Sequence, residues 1–162
     1  MAAPLDLNDE VEVDGIDGLV ALLEHMWELG ARPEMRPDDW METVEYLEEL
    51  HESYFNYELD PLGNSWPSLS PVTIQKKGHS RILIEVDRLF DSLTDSYHPE
   101  AIREYNPTEL LFGTRREWAW VHQEGTPKIP QRQHTGVSEE GADEIGELIA
   151  NAIVMMMFTT TV

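Results

Sequence analysis

The side chains that could carry acid–base or metal chemistry in this sequence are six histidines and a large number of carboxylates. His25 and His51 fall in helical stretches, and neither has a second histidine three or four residues away to complete a metal-binding face. His122 and Glu124 stand close together but lack the HExxH spacing of zinc hydrolases. They support one hypothesis, a small metal-dependent hydrolase that would lose its activity on His122→Ala.

Other catalytic patterns are missing from the sequence. Neighbouring carboxylates such as Asp38 and Asp39 are expected by chance in so acidic a chain, so they do not indicate glycosidase or nuclease chemistry. Three serines lack the context of a nucleophile elbow: Ser68, Ser70 and Ser92. The chain has no glycine-rich phosphate loop and no cysteine for a disulfide or a thiolate zinc site. The sequence therefore predicts a protein that is not an enzyme, with no cofactor and no metal.

The charge balance narrows the class of partner. Asp and Glu number 32 against 11 Lys and Arg, which gives a formal net charge of -21. Such a surface repels phosphate backbones, which argues against sequence-specific binding of DNA or RNA. Three explanations remain: a solvated surface suited to a salty host, the wall of a channel through which DNA slides without sticking, and a DNA mimic that occupies a nucleic-acid-binding partner. Composition does not choose between them.

The length of 162 residues suits one domain with its own core. We predict this domain over residues 14–158, after a flexible acidic arm at residues 1–13 that becomes ordered on a partner and before a short tail at residues 159–162. The N-terminal residues are polar and acidic, which predicts no signal peptide. No apolar run reaches membrane-spanning length, so no membrane partner is expected.

Apolar periodicity predicts helices at both ends of this domain. The first spans Ile16–Leu29, with Asp14 as its N-cap, and the second runs from Pro37 to about residue 57. A last helix follows Ser138. Its final turns, residues 154–158, are apolar nearly all round and need a covering surface, either the protein's own sheet or a neighbouring subunit.

The middle of the chain predicts the sheet. A connector rich in Pro, Gly and Ser carries Trp66 as an anchor, and a helix over about residues 81–96 follows, with a strand over residues 82–86 as the alternative. Residues 101–105 and 109–113 flank a turn signal and predict a hairpin. Residues 115–122 fit one helical turn better than a strand. The fold class is therefore α+β, a small antiparallel sheet of this hairpin and one or two further strands, flanked by N-terminal and C-terminal helices.

Six short motifs follow one another between Trp40 and Ile153. They are Asp60-Pro61-Leu62-Gly63; Trp66-Pro67-Ser68-Leu69 with Thr73-Ile74; Ile82-Leu83 with Leu89 and Ser92-Leu93; Gly113-Thr114 with Trp118-Ala119; His122-Gln123 with Gly125; and Ile129-Pro130-Gln131-Arg132 before the last helix. In this order and spacing they resemble the phage virion morphogenesis family, the tail completion proteins of Mu-like and P2-like tailed phages. Val86-Asp87 and Gln133-His134 depart from the family pattern, and the helix at Ile16–Leu29 has no clear counterpart in it.

The resemblance implies a structural virion protein. Family members look like tail-terminator or neck proteins that form a ring, commonly a hexamer, between the tail tube protein and the head–tail connector or adaptor proteins. Double-stranded DNA would pass through such a ring without specific binding. The protein would lie in the tail or neck of the virion and be assembled in the host cytoplasm. The rival from another class is an acidic DNA mimic that inhibits a nucleic-acid-binding protein.

These considerations assign three groups of candidate residues. Structural anchors of the connector and core are Trp66, Leu69, Ile82, Leu89, Leu93 and Trp118, with a place in a subunit interface as the alternative for the tryptophans. Residues expected at a subunit or partner interface are His122, Ile129, Pro130, Arg132, Ile153, Met156 and Phe158. An acidic row on the second helix is expected to face the lumen of a ring, with ordinary solvent exposure as the alternative: Glu45, Glu48, Glu49 and Glu52.

Overall fold

The computed structural model describes residues 15–84 and 88–159, including all their side chains except those of Phe158 and Thr159. Its elements are α1 (Gly15–Glu28), a 3-10 turn (Pro37–Trp40) that leads directly into α2 (Met41–Tyr57), α3 (Pro71–Lys77), α4 (Arg88–Thr94), β1 (Ala101–Asn106), β2 (Glu109–Thr114), α5 (Ala119–Glu124) and α6 (Glu139–Thr159). The predicted α+β class is confirmed. The predicted arm, the Asp14 cap, the Val86-Asp87 departure and residues 160–162 of the tail lie outside the described residues.

Helix α1 packs along α6. A Cβ atom added to Gly146 of α6 would lie 2.8 Å from the backbone nitrogen of Ile16, so the absence of a side chain there allows the two helices to approach closely. Their apolar faces form one cluster with the 3-10 turn: Met26, Met35, Trp40 and Ile153 are its buried members. The predicted first helix therefore covers the apolar stripe of the last one.

The second cluster joins α2, α4 and the connector. Its buried members are Tyr54, Phe55, Trp66, Ile82, Ile84, Leu89, Leu93 and Ala119. Trp66 is 4 % exposed, packs edge-on against Phe55 at 5.4 Å between ring centroids, and donates its indole N–H to the carbonyl of Gln133 at 2.7 Å. The connector is therefore fixed to the core and to the segment before α6.

The hairpin lies against α2. Strands β1 and β2 pair antiparallel from Ala101 opposite Thr114 to Asn106 opposite Glu109, and among the described residues the sheet has these two strands. The ring of His51 on α2 contacts Phe112 at 4.9 Å between centroids. A two-stranded sheet is marginal by itself, and its contacts with α2 and with α4, where Ser92 meets Thr114 of β2 at 2.8 Å between hydroxyl oxygens, supply the support that it needs.

Two segments differ from their predicted structure. The connector contains α3, which starts with Ser70 accepting a hydrogen bond from the N–H of Thr73 and ends at Gly78 with φ 80°. The predicted helix over residues 81–96 is shortened to α4, because Leu83 adopts a left-handed φ of 58° and the N–H of Ile82 donates to the Glu58 carboxylate at 2.7 Å. The predicted helical turn after residue 115 is confirmed as α5.

Candidate functional site

The candidate site is a surface cleft of about 500 Å³ between α3, α5 and the loop before α6. Its lining comprises Ser68, Leu69, Ser70, Thr73, Lys77, Leu83, Trp118, His122, Lys128, Ile129, Pro130 and Arg132. The cleft unites residues from five of the six sequence motifs. Four of the predicted interface residues, His122, Ile129, Pro130 and Arg132, lie in it together.

Arg132 holds two walls of the cleft together. Its Nε donates to the carbonyl of Pro67 at 2.9 Å and its Nη2 to the carbonyl of Ser68 at 3.3 Å. The residue is 5 % exposed and has no carboxylate within ion-pair distance among the described residues. Burial lowers the pKa of Arg132 and the nearby Glu58 carboxylate acts to raise it, yet a guanidinium stays charged in proteins. The cleft therefore contains a buried positive charge.

The loop carrying Arg132 is fixed by Gln123 and Gly125. The side-chain carbonyl of Gln123 accepts hydrogen bonds from the N–H groups of His134 at 3.0 Å and Thr135 at 3.1 Å. A Cβ atom added to Gly125, where φ is 75°, would lie 2.8 Å from the backbone nitrogen of Gln131, so a glycine is needed at this crossing. The His122-Gln123, Gly125 and Ile129-Pro130-Gln131-Arg132 motifs thus build one local structure.

His122 contributes an unpartnered polar atom. Its Nδ1 is buried and has no hydrogen-bond partner among the described residues. Burial lowers the pKa of His122, and the positive charges of Arg132 and Lys77 lower it further. The ring is therefore neutral near pH 7. A buried ring nitrogen without a partner is costly unless a bound group supplies one.

Two of the three cations at the cleft, Lys77 and Lys128, were not identified from the sequence. Lys77 lines it from α3, where its Nζ donates to the carbonyl of Arg81 at 2.9 Å, and Lys128 is an exposed residue of the 125–130 loop. With Arg132 they bring three of only 11 cations to one cleft of a chain with net charge -21. The feature of the sequence that could have drawn attention to them is the scarcity of Lys and Arg, because any group of these residues is notable in so acidic a chain.

The apolar wall of the cleft includes Trp118, which was predicted to be a core anchor. It is 43 % exposed, and its ring meets that of His122 edge-on with centroids 5.8 Å apart. The prediction of a core role is wrong because Trp118 precedes α5 on the outer side, where Ala119 is the residue that enters the core. Leu69 is partly buried, whereas Ile82, Leu89 and Leu93 lie in the core with Trp66.

The interface prediction needs correction at the end of α6. Ile153 is 3 % exposed and belongs to the cluster formed with α1, and Met156 packs against the same cluster. The covering surface for this helix comes from α1 of the same chain, so Ile153 has no surface left to offer a neighbouring subunit. The side chain of Phe158 lies outside the described residues.

The four glutamates of the acidic row on α2 lie in two different environments. Glu45, Glu49 and Glu52 are exposed. The carboxylate of Glu48 instead accepts hydrogen bonds from Arg103 at 3.0 and 3.1 Å and from Ser96 at 2.6 Å. Glu48 is therefore a structural residue that anchors β1 to α2, and its predicted place in a free anionic face is wrong.

The cleft is equipped for binding. Among the described residues no group of three or more His, Asp or Glu side chains is placed to hold a metal ion. Glu124 is exposed and lies outside the lining of the cleft, so the structure does not bring it to His122 there. Cations beside an apolar wall favour a ligand that is both anionic and apolar, such as an acidic peptide segment.

No helix that the structure describes has the length and apolar content to cross a membrane.

The part of the chain that builds the cleft also matches a known protein family. The model of the phage virion morphogenesis family matches residues 21–154, which include every motif that builds the cleft. Neither the curated proteins nor the solved structures contain a match to this chain. The matched family serves phage structure and assembly, which makes the protein virion-associated. The chain belongs to the phage virion morphogenesis family.

Proposed function

We propose that the protein is a tail-completion subunit that forms a ring, of about six copies, between the tail tube and the head–tail connector. The observation that carries this proposal is the family match over residues 21–154, whose motif residues build an open surface cleft. A ring is made by one surface of a subunit meeting a different surface of the next. The cleft is our candidate for one of these two surfaces.

Exposed apolar side chains support a role in assembly. Trp120 is 58 % exposed next to the cleft residue Trp118, and Val72 on α3 is 75 % exposed. Aromatic residues at the surface are favoured in protein interfaces, where they supply apolar contact area and a polar atom. The proposed partners are further copies of the chain, the tail tube protein and the connector or adaptor proteins.

The acid excess suits a channel for DNA. With a net charge of -21, the assembled ring would repel phosphates and let double-stranded DNA pass without being held. Glu45, Glu49 and Glu52 are the exposed carboxylates that we propose for the lumen. The location that follows is the tail or neck of the virion, after assembly in the host cytoplasm.

The first test is the solution mass of the purified chain, measured by light scattering at low and moderate salt. Salt is varied because self-repulsion of this size opposes assembly until it is screened. A ring of about six subunits, or a monomer that becomes one with salt or tube protein, is the expected result. A monomer under all these conditions that captures a basic nucleic-acid-binding protein would instead support the DNA mimic.

The lumen assignment has its own test. Replacing Glu45, Glu49 and Glu52 by lysine is expected to make assembled rings retain linear double-stranded DNA in a salt-dependent manner. The matched control replaces three exposed carboxylates of α6 by lysine, at Glu139, Glu140 and Glu144. Equal DNA retention by the two variants would contradict the proposed lumen.

A further inference from the structure

We propose that the cleft binds residues 1–14 of a second copy of the chain, which act as an arm between neighbouring subunits. This inference rests on the proposed function, because it supplies the two different surfaces that a head-to-tail joint requires.

The cleft contains groups that need an anionic partner. Arg132 is 5 % exposed, its guanidinium bonds two carbonyls, and it lacks a carboxylate partner among the described residues. The Glu58 carboxylate acts on Arg132 only from beyond ion-pair distance, and arginine is seldom buried to this degree without a carboxylate in direct contact. His122 also lines the cleft, and its buried Nδ1 has no hydrogen-bond partner among the described residues. The positive charge of Arg132 therefore favours an anionic ligand in the cleft.

The rest of the cleft adds an apolar requirement. Leu69, Ile129 and Trp118 line it together with the exposed cation Lys128. A small anion would satisfy the cations and leave these apolar side chains exposed to water. An extended peptide with carboxylates on one side and aliphatic side chains on the other satisfies both.

Residues 1–14 have this pattern. Their sequence is Met-Ala-Ala-Pro-Leu-Asp-Leu-Asn-Asp-Glu-Val-Glu-Val-Asp, with five carboxylates and no Lys or Arg. Leu5 and Leu7 flank Asp6, and Val11 and Val13 flank Glu12. Successive side chains of an extended segment face opposite sides, so each triplet bound in an extended conformation would present an aliphatic side and an acidic side.

The start of α1 favours a second copy over the same chain. The N–H of Gly15 donates to Glu147 at 3.3 Å and that of Ile16 to Asp143 at 3.4 Å, so α1 begins beside carboxylates of α6. Between this point and the loop that holds Arg132, α6 carries further acidic residues, Glu139, Glu140 and Glu144. Their like charge disfavours an acidic segment that folds back along its own subunit.

The direct test titrates a labelled synthetic peptide of residues 1–14 into the full-length chain at low protein concentration. We expect saturable binding that Lys128→Glu weakens at least tenfold. The matched control is Lys76→Glu, which makes the same charge change at an exposed α3 residue outside the cleft lining and should alter the affinity less than twofold. Lys128 is chosen over Arg132 because its exposed side chain is not needed for folding. Absence of binding, or equal weakening by both variants, would overturn the inference.

A mixing experiment distinguishes a second copy from the same chain. One full-length variant carries Lys128→Glu, and the other carries Asp6→Lys with Glu12→Lys. The first variant lacks a functional cleft and the second lacks a functional arm, so each alone should stay monomeric. In a mixture the arm of the first variant can bind the cleft of the second, which should give one-to-one dimers. A mixture that stays monomeric would show that the arm does not join two copies, and the inference would fail.

Failure of this inference and failure of the proposed function are separable. If the wild-type chain forms rings but does not bind the peptide, and the charge variants form the same rings, the ring proposal stands and the arm is wrong. Peptide binding and mixed dimers without any larger wild-type assembly would keep the arm and remove the ring.

Discussion

Trp66 donates its indole N–H to the backbone carbonyl of Gln133 at 2.7 Å, which joins the connector after α2 to the segment before α6. These two residues are 67 positions apart in the chain. Their contact places the Trp66-Pro67-Ser68-Leu69 motif beside the loop of Arg132. Trp66 therefore helps to position the two segments that form the cleft.

Trp66→Ala is expected to lower the free energy of unfolding by about 3–5 kcal/mol, the cost of truncating a buried aromatic residue. Trp66→Phe keeps a ring in the core but leaves the Gln133 carbonyl without its donor, so a loss of about 1–3 kcal/mol is expected. Chemical denaturation measures both values. Trp120→Ala, at a residue 58 % exposed, is the control. An unchanged melting temperature for Trp66→Ala would refute the anchor role.

Gly146→Ala is expected to destabilise the packing of α1 on α6. The added Cβ would lie 2.8 Å from the backbone nitrogen of Ile16, and overpacking of this kind costs about 1–3 kcal/mol. Gly141→Ala is the matched control, because a Cβ there meets its nearest neighbours at an ordinary 3.5 Å. Removal of a helical glycine should stabilise that variant by about 0.5–1 kcal/mol. Thermal denaturation showing the same sign for both variants would contradict this account.

Breaking the Arg103–Glu48 pair should destabilise the hairpin. The side chains of Arg103 and Glu48 are 7 % and 18 % exposed, and the guanidinium also lies 3.8 Å from the centroid of the Phe112 ring. Glu48→Gln leaves the buried guanidinium without its counter-charge, and we expect a loss of about 3 kcal/mol. Glu49→Gln, at the next and exposed position, should change stability by less than about 0.5 kcal/mol. Equal effects of the two substitutions in urea denaturation would show that Glu48 is a surface residue.

Two buried histidines predict loss of stability in mild acid. Burial lowers the pKa of His51 to about 4 and that of His134 to about 4, while a hydrogen bond from each ring to a backbone carbonyl acts in the opposite direction. Between pH 6.5 and 4 the unfolded chain therefore binds more protons than the native one. Stability should be complete above pH 6.5 and fall as the pH drops towards 4, by about 3 kcal/mol for each histidine.

His51→Gln tests this account, because glutamine is neutral throughout the range. Between pH 6.5 and pH 4 the free energy of unfolding of the variant should fall by about 3 kcal/mol less than that of the wild type. Denaturation at several pH values measures this difference. His25→Gln makes the same substitution at an exposed position of α1 and should keep the wild-type dependence. If the free energy of unfolding of His51→Gln falls with pH as steeply as that of the wild type, other groups control the loss of stability in acid.

The sequence by itself determined the elements whose signals are local. Apolar periodicity and the cap residue Ser138 predicted the outer helices, and the turn signal between residues 101–105 and 109–113 predicted the hairpin. The ordered motifs identified the family, because six short patterns in one order are rarely matched by chance. The signals for α3 were also local, since Ser70, Pro71 and Gly78 bracket it, and a search for caps within the connector would have found them.

Only the tertiary structure decided which faces were covered and which charges were paired. Trp118 and Trp66 are the same residue type, yet Trp118 is 43 % exposed and Trp66 4 %, since burial depends on neighbours far away in the chain. Glu48 differs from the exposed Glu49 because Arg103 reaches it from β1, and Ile153 is covered by α1 at the other end of the sequence. The cleft has the same origin: its cations come from segments separated by about fifty residues, and only folding brings them to one surface.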